Sequence, residues 1–422
     1  MTAIAVVLAG GRGTRSADPS RAKLAQTIDG ASLMEWHLQL LQGTSISEAL
    51  IIAGHAGDQV QALIDGIDHH GIDVRVIHER EQQGTVAALR LAAQHSDADE
   101  FLVILGDILM SFPVDDLLQR WNASRRNVAV AVHPSTHPED SDAVFRSFTG
   151  EVIVRPKSEN RDAIPNSSSA GLFAITREGL NRYAECRDFG SNVLPAAARE
   201  NDLFDYVSSH YFKDTGTPER LEATSADVAS GAFRRRGELS SRPALFLDRD
   251  GVINPDSNGV FNAADYSLLP GVGQAIRTAN KRGIPVFVVT NQPGIAKGFM
   301  TQADHEAIRA RMDRLLGTEG AFVDDYAYCP HHPESGFEGE IPELKIACHC
   351  RKPAPGMAHE LSQIHGIDLN RSTMVGDTAF DQGLAQNTGM TFFHVSDFCS
   401  LEGDHECHVG ASEAILRAIE TF

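Results

Sequence analysis

The stretch Ala244-Leu245-Phe246-Leu247-Asp248-Arg249-Asp250-Gly251 decides how the second half of this chain is read. Its four apolar residues read as a buried strand that runs straight into acid, base, acid and glycine. In an α/β protein such a strand delivers the next residues to the carboxyl edge of the sheet, where ligand sites lie. Alternation along an extended chain puts Asp248 and Asp250 on roughly the same side. Two carboxylates there can divide the work on a phosphate ester. One attacks phosphorus, the other moves protons, and a divalent cation offsets the phosphate charge. Gly251 lets the backbone turn closely around the phosphate.

Later segments supply the rest of such a site. The apolar run 284–289 presents Thr290 and Asn291, where a hydroxyl and exposed N–H groups can hold phosphoryl oxygens. Arg351 and Lys352 add positive charge. The run STMVGD reads as a further strand delivering Asp377, with Asp381 four residues on at a helix start. Asp377 is the better metal ligand; Asp381 can bind or orient a bound water. The short span between Asp248 and Thr290 leaves no room for a large cap domain.

Cys329-Pro-His331 and Cys348-His-Cys350 bracket residues 332–347. Three sulfurs and one imidazole suit tetrahedral zinc, and four protein ligands leave no open position, so the expected role is structural. His332 and His349 are competing ligands, and ordinary unmetallated cysteines are the bland alternative. Cys399, Cys407 and His408 are too loosely spaced for a second site and are expected in surface or packing roles.

The ordered set FLDRDGVIN, VVTNQPGIAKG, CPHHPE, CHCRKPAPGM and MVGDTAFD resembles the haloacid dehalogenase-like phosphatases over about residues 244 to 395. Within them it is most similar to the heptose bisphosphate phosphatase branch, related to histidinol phosphatase. The resemblance implies Asp248 as nucleophile, through a phosphoaspartate later hydrolysed by water, and Asp250 as general acid/base. It implies Thr290 and Lys352 as ligands of the transferring phosphate. Magnesium is then held by Asp248, Asp377 and the Asp250 carbonyl. The branch carries the same CxH…CxC arrangement.

The first half opens on a buried run, residues 3–9, followed by Gly10-Gly11-Arg12-Gly13-Thr14-Arg15. Gly10, Gly11 and Gly13 permit close approach of backbone N–H groups to phosphate, and Arg15 and Lys23 can neutralise a triphosphate. Further apolar runs, EALIIAG, DVRVIHE, EFLVILGD and NVAVAV, are separated by helix-like SLMEWHLQLLQ and TVAALRLAAQ. This reads as α/β with a largely parallel sheet. Asp107 follows one run and Asp214 lies in FKDTGTP; together they could hold one magnesium.

LAGGRGTR, Lys23, EQQGTVAAL, LGD, SSSAGLF and KDTGTP resemble a sugar-1-phosphate nucleotidyltransferase, a Rossmann-like fold, over about residues 3 to 220. That likeness places Gly84 and Thr85 near base or ribose and Gly171 near the sugar. It makes Arg15 and Lys23 catalytic, Thr14 a phosphate ligand, and Asp107 and Asp214 the magnesium ligands. Two departures stand out. The usual Pro-Lys pair is Ala22-Lys23, and the usual Glu-Lys-Pro is Arg155-Pro156-Lys157, whose lysine is one step out of register.

The expected organisation is a nucleotidyltransferase domain at 1–222, a polar connection at 223–243 with the solvated cluster Arg234, Arg235 and Arg236, and a phosphatase domain at 244–422. The fusion reads as two successive steps. A heptose 1,7-bisphosphate loses its 7-phosphate, and the resulting 1-phosphate receives a nucleotidyl group. GTP is the first choice, through the resemblance to heptose 1-phosphate guanylyltransferases. The alternative is a phosphatase for histidinol phosphate or another small phosphomonoester, with a first half that senses nucleotide sugars.

Composition narrows the setting. The 422 residues carry a formal charge of -20, which argues against nonspecific nucleic-acid or membrane partners. Six clustered cysteines cannot staple a chain of this length, so a reducing cytoplasm is expected. No apolar run approaches the ~20 residues of a membrane helix. The opening residues lack a basic segment before their apolar run, so they read as a strand rather than a signal peptide.

Overall fold

The computed structural model describes residues 2–11, 22–54, 56–147, 149–157, 164–238, 241–256, 259–398 and 410–422. Arg12, Gly13, Thr14 and Arg15 of the glycine loop, and Cys399, Cys407 and His408, lie outside the described residues. The described residues form two compact units. One comprises those of Met1–His133, Asp140–Lys157 and Ser168–Gly237; the other, those of Pro134–Glu139, Ser158–Ser167 and Glu238–Phe422. No helix among them is long and apolar enough to cross a membrane.

The first unit is built on a nine-stranded sheet. Its first strand, Ala3–Ala9, lies parallel to both Glu48–Ala53 and Glu100–Leu105. Apolar clusters cover both faces, with Val7, Ile51 and Ile104 on one side and Val6, Leu50 and Val103 on the other. The sheet is mixed rather than largely parallel. The strand Ser168–Thr176 runs antiparallel to both Glu100–Leu105 and Val128–His133. Burial is nearly continuous along it, so its residues carry the pattern of a central strand but no sign of its direction. Gly171, at φ 73°, sits where its register against Val128–His133 shifts between Ser169 and Phe173.

The polar connection expected from residue 223, with room for one short helix, instead holds the end of one helix and the whole of another. Pro218–Ala229 and Ala232–Gly237 form two helices of the first unit. Leu221, Val228 and Phe233 pack on the small cluster of Ile28, Leu33, Leu109 and Tyr211. Of the three arginines expected in solvent, Arg236 is buried and donates from Nη1 to the Ser209 carbonyl at 3.1 Å.

The second unit holds a five-stranded sheet in the order Asp325–Cys329, Val286–Asn291, Leu245–Leu247, Thr373–Gly376, Thr391–His394. All four pairings are parallel. Leu245–Leu247 is therefore central. Leu245 and Leu247 face one apolar cluster and Phe246 the other. Thr290 and Asn291 are the last residues of their strand rather than following it, because Val286–Asn291 begins two residues later than the apolar run suggests.

Candidate active site

At the carboxyl edge of the second sheet, the three central strands bring Asp248, Thr290 and Asp377 to one cavity of about 260 Å³. Asp250, Asn291, Gln292, Lys297, Arg351 and Lys352 line it as well. Asp248 is fixed by its own N–H, which donates to the Val375 carbonyl at 3.0 Å across the sheet. Its Oδ1 accepts from the Arg249 N–H at 2.6 Å and lies 2.9 Å from the Lys352 Nζ. Among the described residues both of these contacts end on Oδ1.

Lys352 is buried and spends its ammonium on three acceptors: Asp248, Asp381 at 2.6 Å and the Val289 carbonyl at 2.9 Å. Asn291 does not present its side-chain amide to a substrate. It brackets Lys352, donating from Nδ2 to the Lys352 carbonyl at 3.1 Å and accepting the Lys352 N–H at 2.9 Å. Thr290 Oγ1 accepts from Gln292 Nε2 at 2.8 Å, which leaves the hydroxyl proton for a phosphoryl oxygen.

The electrostatics suit a cation. Burial pushes Asp248 up to about 7; Lys352 opposes this, and Asp381 and Asp250 reinforce it. The single charge of Lys352 is shared between Asp248 and Asp381, so it does not offset the burial of both. Asp377 is pushed up to about 6, by burial first and Asp381 second. Its Oδ1 is buried with no hydrogen-bond partner among the described residues. One oxygen each from Asp248, Asp377 and Asp381 lie within 4.8 Å of one another. Crowded carboxylates with an orphaned oxygen fit a divalent cation. Asp381 is the weaker candidate, since it also caps its helix through Thr378 and pairs with Lys352.

Asp250 is anchored differently. Burial works to raise it, but Arg249, Asn254 and Gln292 together hold it below the usual carboxylate range. The aspartate pattern gave no sign of these three. Gly251, at φ 79°, closes the turn, and a Cβ there would stand 2.5 Å from the Asp377 Cγ.

Cys329, His331, Cys348 and Cys350 converge beside this edge. The Cys329–Cys348 sulfurs are 3.5 Å apart, the Cys350 sulfur is 3.2 Å from each of them, and His331 Nδ1 is 3.2 Å from Cys350. Zinc–sulfur bonds of about 2.3 Å give a tetrahedron edge near 3.7 Å, so the donor set and size fit zinc. His332 turns away, its Nδ1 facing the Glu334 carbonyl, and His349 is exposed. Cys329 pairs with Asn291 across the sheet, and Cys350 stands two residues before Lys352, so the cluster abuts the phosphate end of the site.

In the first unit, Gly10, Gly11, Lys23, Gly84, Thr85 and Asp107 line a cavity of about 430 Å³, joined by Glu79, Gln82, Arg187 and Asp188. Gly84 takes φ 108° at the start of its helix, and a Cβ there would meet Arg187 Cγ at 2.7 Å. Thr85 Oγ1 accepts the Phe189 N–H at 2.6 Å. Asp107 and Asp214 are neighbours: Thr215 donates to the Asp107 carbonyl, and a Cβ on Gly216 would lie 2.8 Å from Asp214 Oδ1 and 3.8 Å from Asp107 Oδ2. Each is paired with a base, Asp107 with Lys23 at 2.6 Å and Asp214 with Arg220 at 2.6 Å. A cation there has to displace these pairs. Lys157 is exposed, and its N–H donates to Asp142 Oδ1.

Known proteins match this sequence. A family model for haloacid dehalogenase-like hydrolases matches residues 195–387. A D-glycero-beta-D-manno-heptose-1,7-bisphosphate 7-phosphatase of Rhodopseudomonas palustris is 41% identical over 36% of this chain and 82% of that protein. The chain belongs to the haloacid dehalogenase-like hydrolases. Proteins with the same description from Escherichia coli (strain K12) and Mesorhizobium japonicum are 41% and 43% identical. Those matches span 35% and 42% of this chain and 77% and 78% of theirs. Ahead of the hydrolase unit, residues 5–186 match the MobA-like NTP transferase domain, so this hydrolase is a fusion.

Proposed function

We propose that the chain is a bifunctional enzyme of nucleotide-sugar synthesis. Its second unit removes the 7-phosphate of D-glycero-D-manno-heptose 1,7-bisphosphate. Its first transfers a nucleotidyl group, from GTP, to the heptose 1-phosphate with release of pyrophosphate. The observation that carries the first step is the convergence of Asp248, Thr290, Lys352 and Asp377 on one cavity whose rim holds Arg351 and Lys297. Relatives of the second unit are described as phosphatases of that bisphosphate.

In this reading Asp248 Oδ2 attacks the phosphorus while the Thr290 hydroxyl holds one phosphoryl oxygen and Lys352, releasing one of its three acceptors, turns its ammonium to another. Asp250 protonates the departing sugar oxygen and then takes a proton from the water that hydrolyses the phosphoaspartate. Magnesium, held by Asp248, Asp377 and the Asp250 carbonyl, supplies the charge compensation that brings two anions together. Arg351 lies over the Phe380 ring at 5.9 Å and donates to the His331 carbonyl. That holds its guanidinium at the rim, where it meets the rest of the substrate. Zinc held by Cys329, His331, Cys348 and Cys350 would fix the chain leading into Arg351 and Lys352.

For the first unit, the resemblance and the matched domain support nucleotidyl transfer, with Gly10, Gly11 and Lys23 toward the phosphates, Gly84 and Thr85 toward base or ribose, and Gly171 toward the sugar. Asp107 and Asp214 would hold magnesium, which would supply charge compensation between the sugar phosphate and the nucleotide. A second reading, nucleotide-sugar binding without turnover, is favoured by one observation: both carboxylates are already neutralised by Lys23 and Arg220.

One coupled assay separates these readings. The full chain is incubated with heptose bisphosphate, magnesium and each of GTP, ATP, CTP and UTP, and phosphate, pyrophosphate and nucleotide-heptose are followed. Phosphate and pyrophosphate together are expected with GTP. Phosphate without pyrophosphate across all four nucleotides would remove the transferase.

A further inference from the structure

Arg249 stands between the two aspartates of the motif, and its side chain is 0% exposed. A buried guanidinium needs compensation, and among the described residues its ion pair is with Asp250. Arg249 Nε donates to Asp250 Oδ1 at 3.2 Å, and Nη2 lies 2.9 Å and 2.8 Å from Oδ1 and Oδ2. Nη2 also donates to Gln292 Oε1 at 3.0 Å. Gln292, itself buried, uses its Nε2 twice, at 2.7 Å to Asp250 Oδ2 and 2.8 Å to Thr290 Oγ1. Asn254 Nδ2 completes the shell at 2.9 Å from Oδ1. The turn beneath is closed as well, since Ile253 and Asn254 both donate their N–H groups to the Arg249 carbonyl.

Both oxygens of Asp250 are therefore fixed in plane and angle by side chains that do not line up with the nucleophile. Asp248 draws on Lys352 and on the Arg249 backbone instead. The two carboxylates thus draw on different side chains, and Arg249 serves both, Asp250 through its guanidinium and Asp248 through its N–H.

We infer that Arg249 and Gln292 are positioning residues for proton transfer: they aim the Asp250 carboxyl at the leaving oxygen, and Gln292 ties that aim to the hydroxyl of Thr290. The inference rests on the phosphatase reading above. In the first step the Asp248 Oδ2–phosphorus bond forms, the phosphorus–oxygen bond to the sugar breaks, and a proton that Asp250, ionised in the empty site, takes up as the anionic substrate binds goes to the released alkoxide. In the second, water attacks the phosphoaspartate, its proton returns to Asp250, and Asp248 is regenerated. Only the transfer to the leaving oxygen depends on how basic that oxygen is. A p-nitrophenolate departs without a proton, whereas a sugar alkoxide does not.

The test is leaving-group dependence on the full chain. Arg249→Met and Gln292→Met are assayed against p-nitrophenyl phosphate and against the sugar bisphosphate, with Asp250→Asn as the benchmark. The kcat/KM for the alkyl ester is expected to fall at least about tenfold further than that for the aryl ester in each variant. An equal fall for both esters, or none for either, overturns the inference. Should Arg249→Met fail to fold, Gln292→Met alone decides, because it removes three bonds and no charge. A wild-type chain that hydrolyses neither ester overturns the phosphatase reading instead, and this inference with it.

Discussion

Replacing Gly251 by alanine tests whether the tight turn after the aspartates is what lets Asp377 reach the metal position. The glycine sits at φ 79°, and an added Cβ would lie 2.5 Å from the Asp377 Cγ and closer still to its Oδ2. Carbon–carbon contacts settle at about 3.5–4.0 Å, so the turn or Asp377 has to move by about 1 Å. Left-handed backbone at a non-glycine residue adds roughly 1–2 kcal/mol. A displacement of about 1 Å at a reacting constellation is worth about a hundredfold in rate. Gly251→Ala should therefore lose about a hundredfold in kcat/KM for phosphate release, with the magnesium half-saturation point moved upward and only a few degrees lost in melting temperature. The assay is phosphate release titrated with magnesium, beside a thermal melt of the same sample. A variant within about threefold of wild type at an unchanged half-saturation point would refute the reasoning, because the space beside Asp377 would then not be needed.

Three further outcomes are expected. His305 is buried against Tyr328, with ring centroids 4.2 Å apart, and burial, aided by Arg249 and Arg309, lowers it to about 3 from 6.5. Its unfolded form takes a proton near pH 6.5 and its folded form does not until about pH 3, so stability rises with pH across that window. Lowering the pH from 6.5 to 5.5 should cost about 1 kcal/mol of unfolding free energy that His305→Phe does not lose, read from urea unfolding at the two pH values. Cys350→Ser should abolish a one-to-one zinc complex seen by native mass spectrometry in the wild type, and lower phosphate release by about tenfold through the adjoining Lys352. Gly84→Ala should weaken GTP binding at least about tenfold by calorimetry, because Arg187 occupies the space its Cβ requires.

Much of the second unit was legible because its chemistry lies at strand ends. The run before Asp248, the run before Thr290 and the run before Asp377 are short, apolar and bounded by polar residues, and parallel neighbours then bring those ends together. The cysteine–histidine set was legible from donor type and spacing, and the residues do converge. Arg249 was not. A charged residue between two aspartates reads as exposed, and its burial is accompanied by bonds to Asp250 and to Gln292, the latter distant in sequence and adjacent in space. The reversed strand Ser168–Thr176 was missed because alternation and burial report depth and not direction. The two helices after residue 217 did carry a signal that polarity obscured. Thr217 caps the first, accepting the Arg220 N–H, Pro218 stands at its first position and Glu219 in its first turn.

The pinned ends of residues 332–347 set the terms on which this site can be altered. Sulfurs flanking the segment stand 3.5 Å apart, so it leaves and returns at one place, and zinc bound there would close it into a ring whose length hardly matters to the strand and lysine it joins. Each doubling of such a ring adds only about 0.6 kcal/mol of closure entropy. Phe337, on that ring, lies 4.6 Å from both the Lys297 and Lys345 ammonium groups. New residues can be inserted, and new rims built over the cavity, while the machinery that breaks the phosphorus–oxygen bond stays where it is.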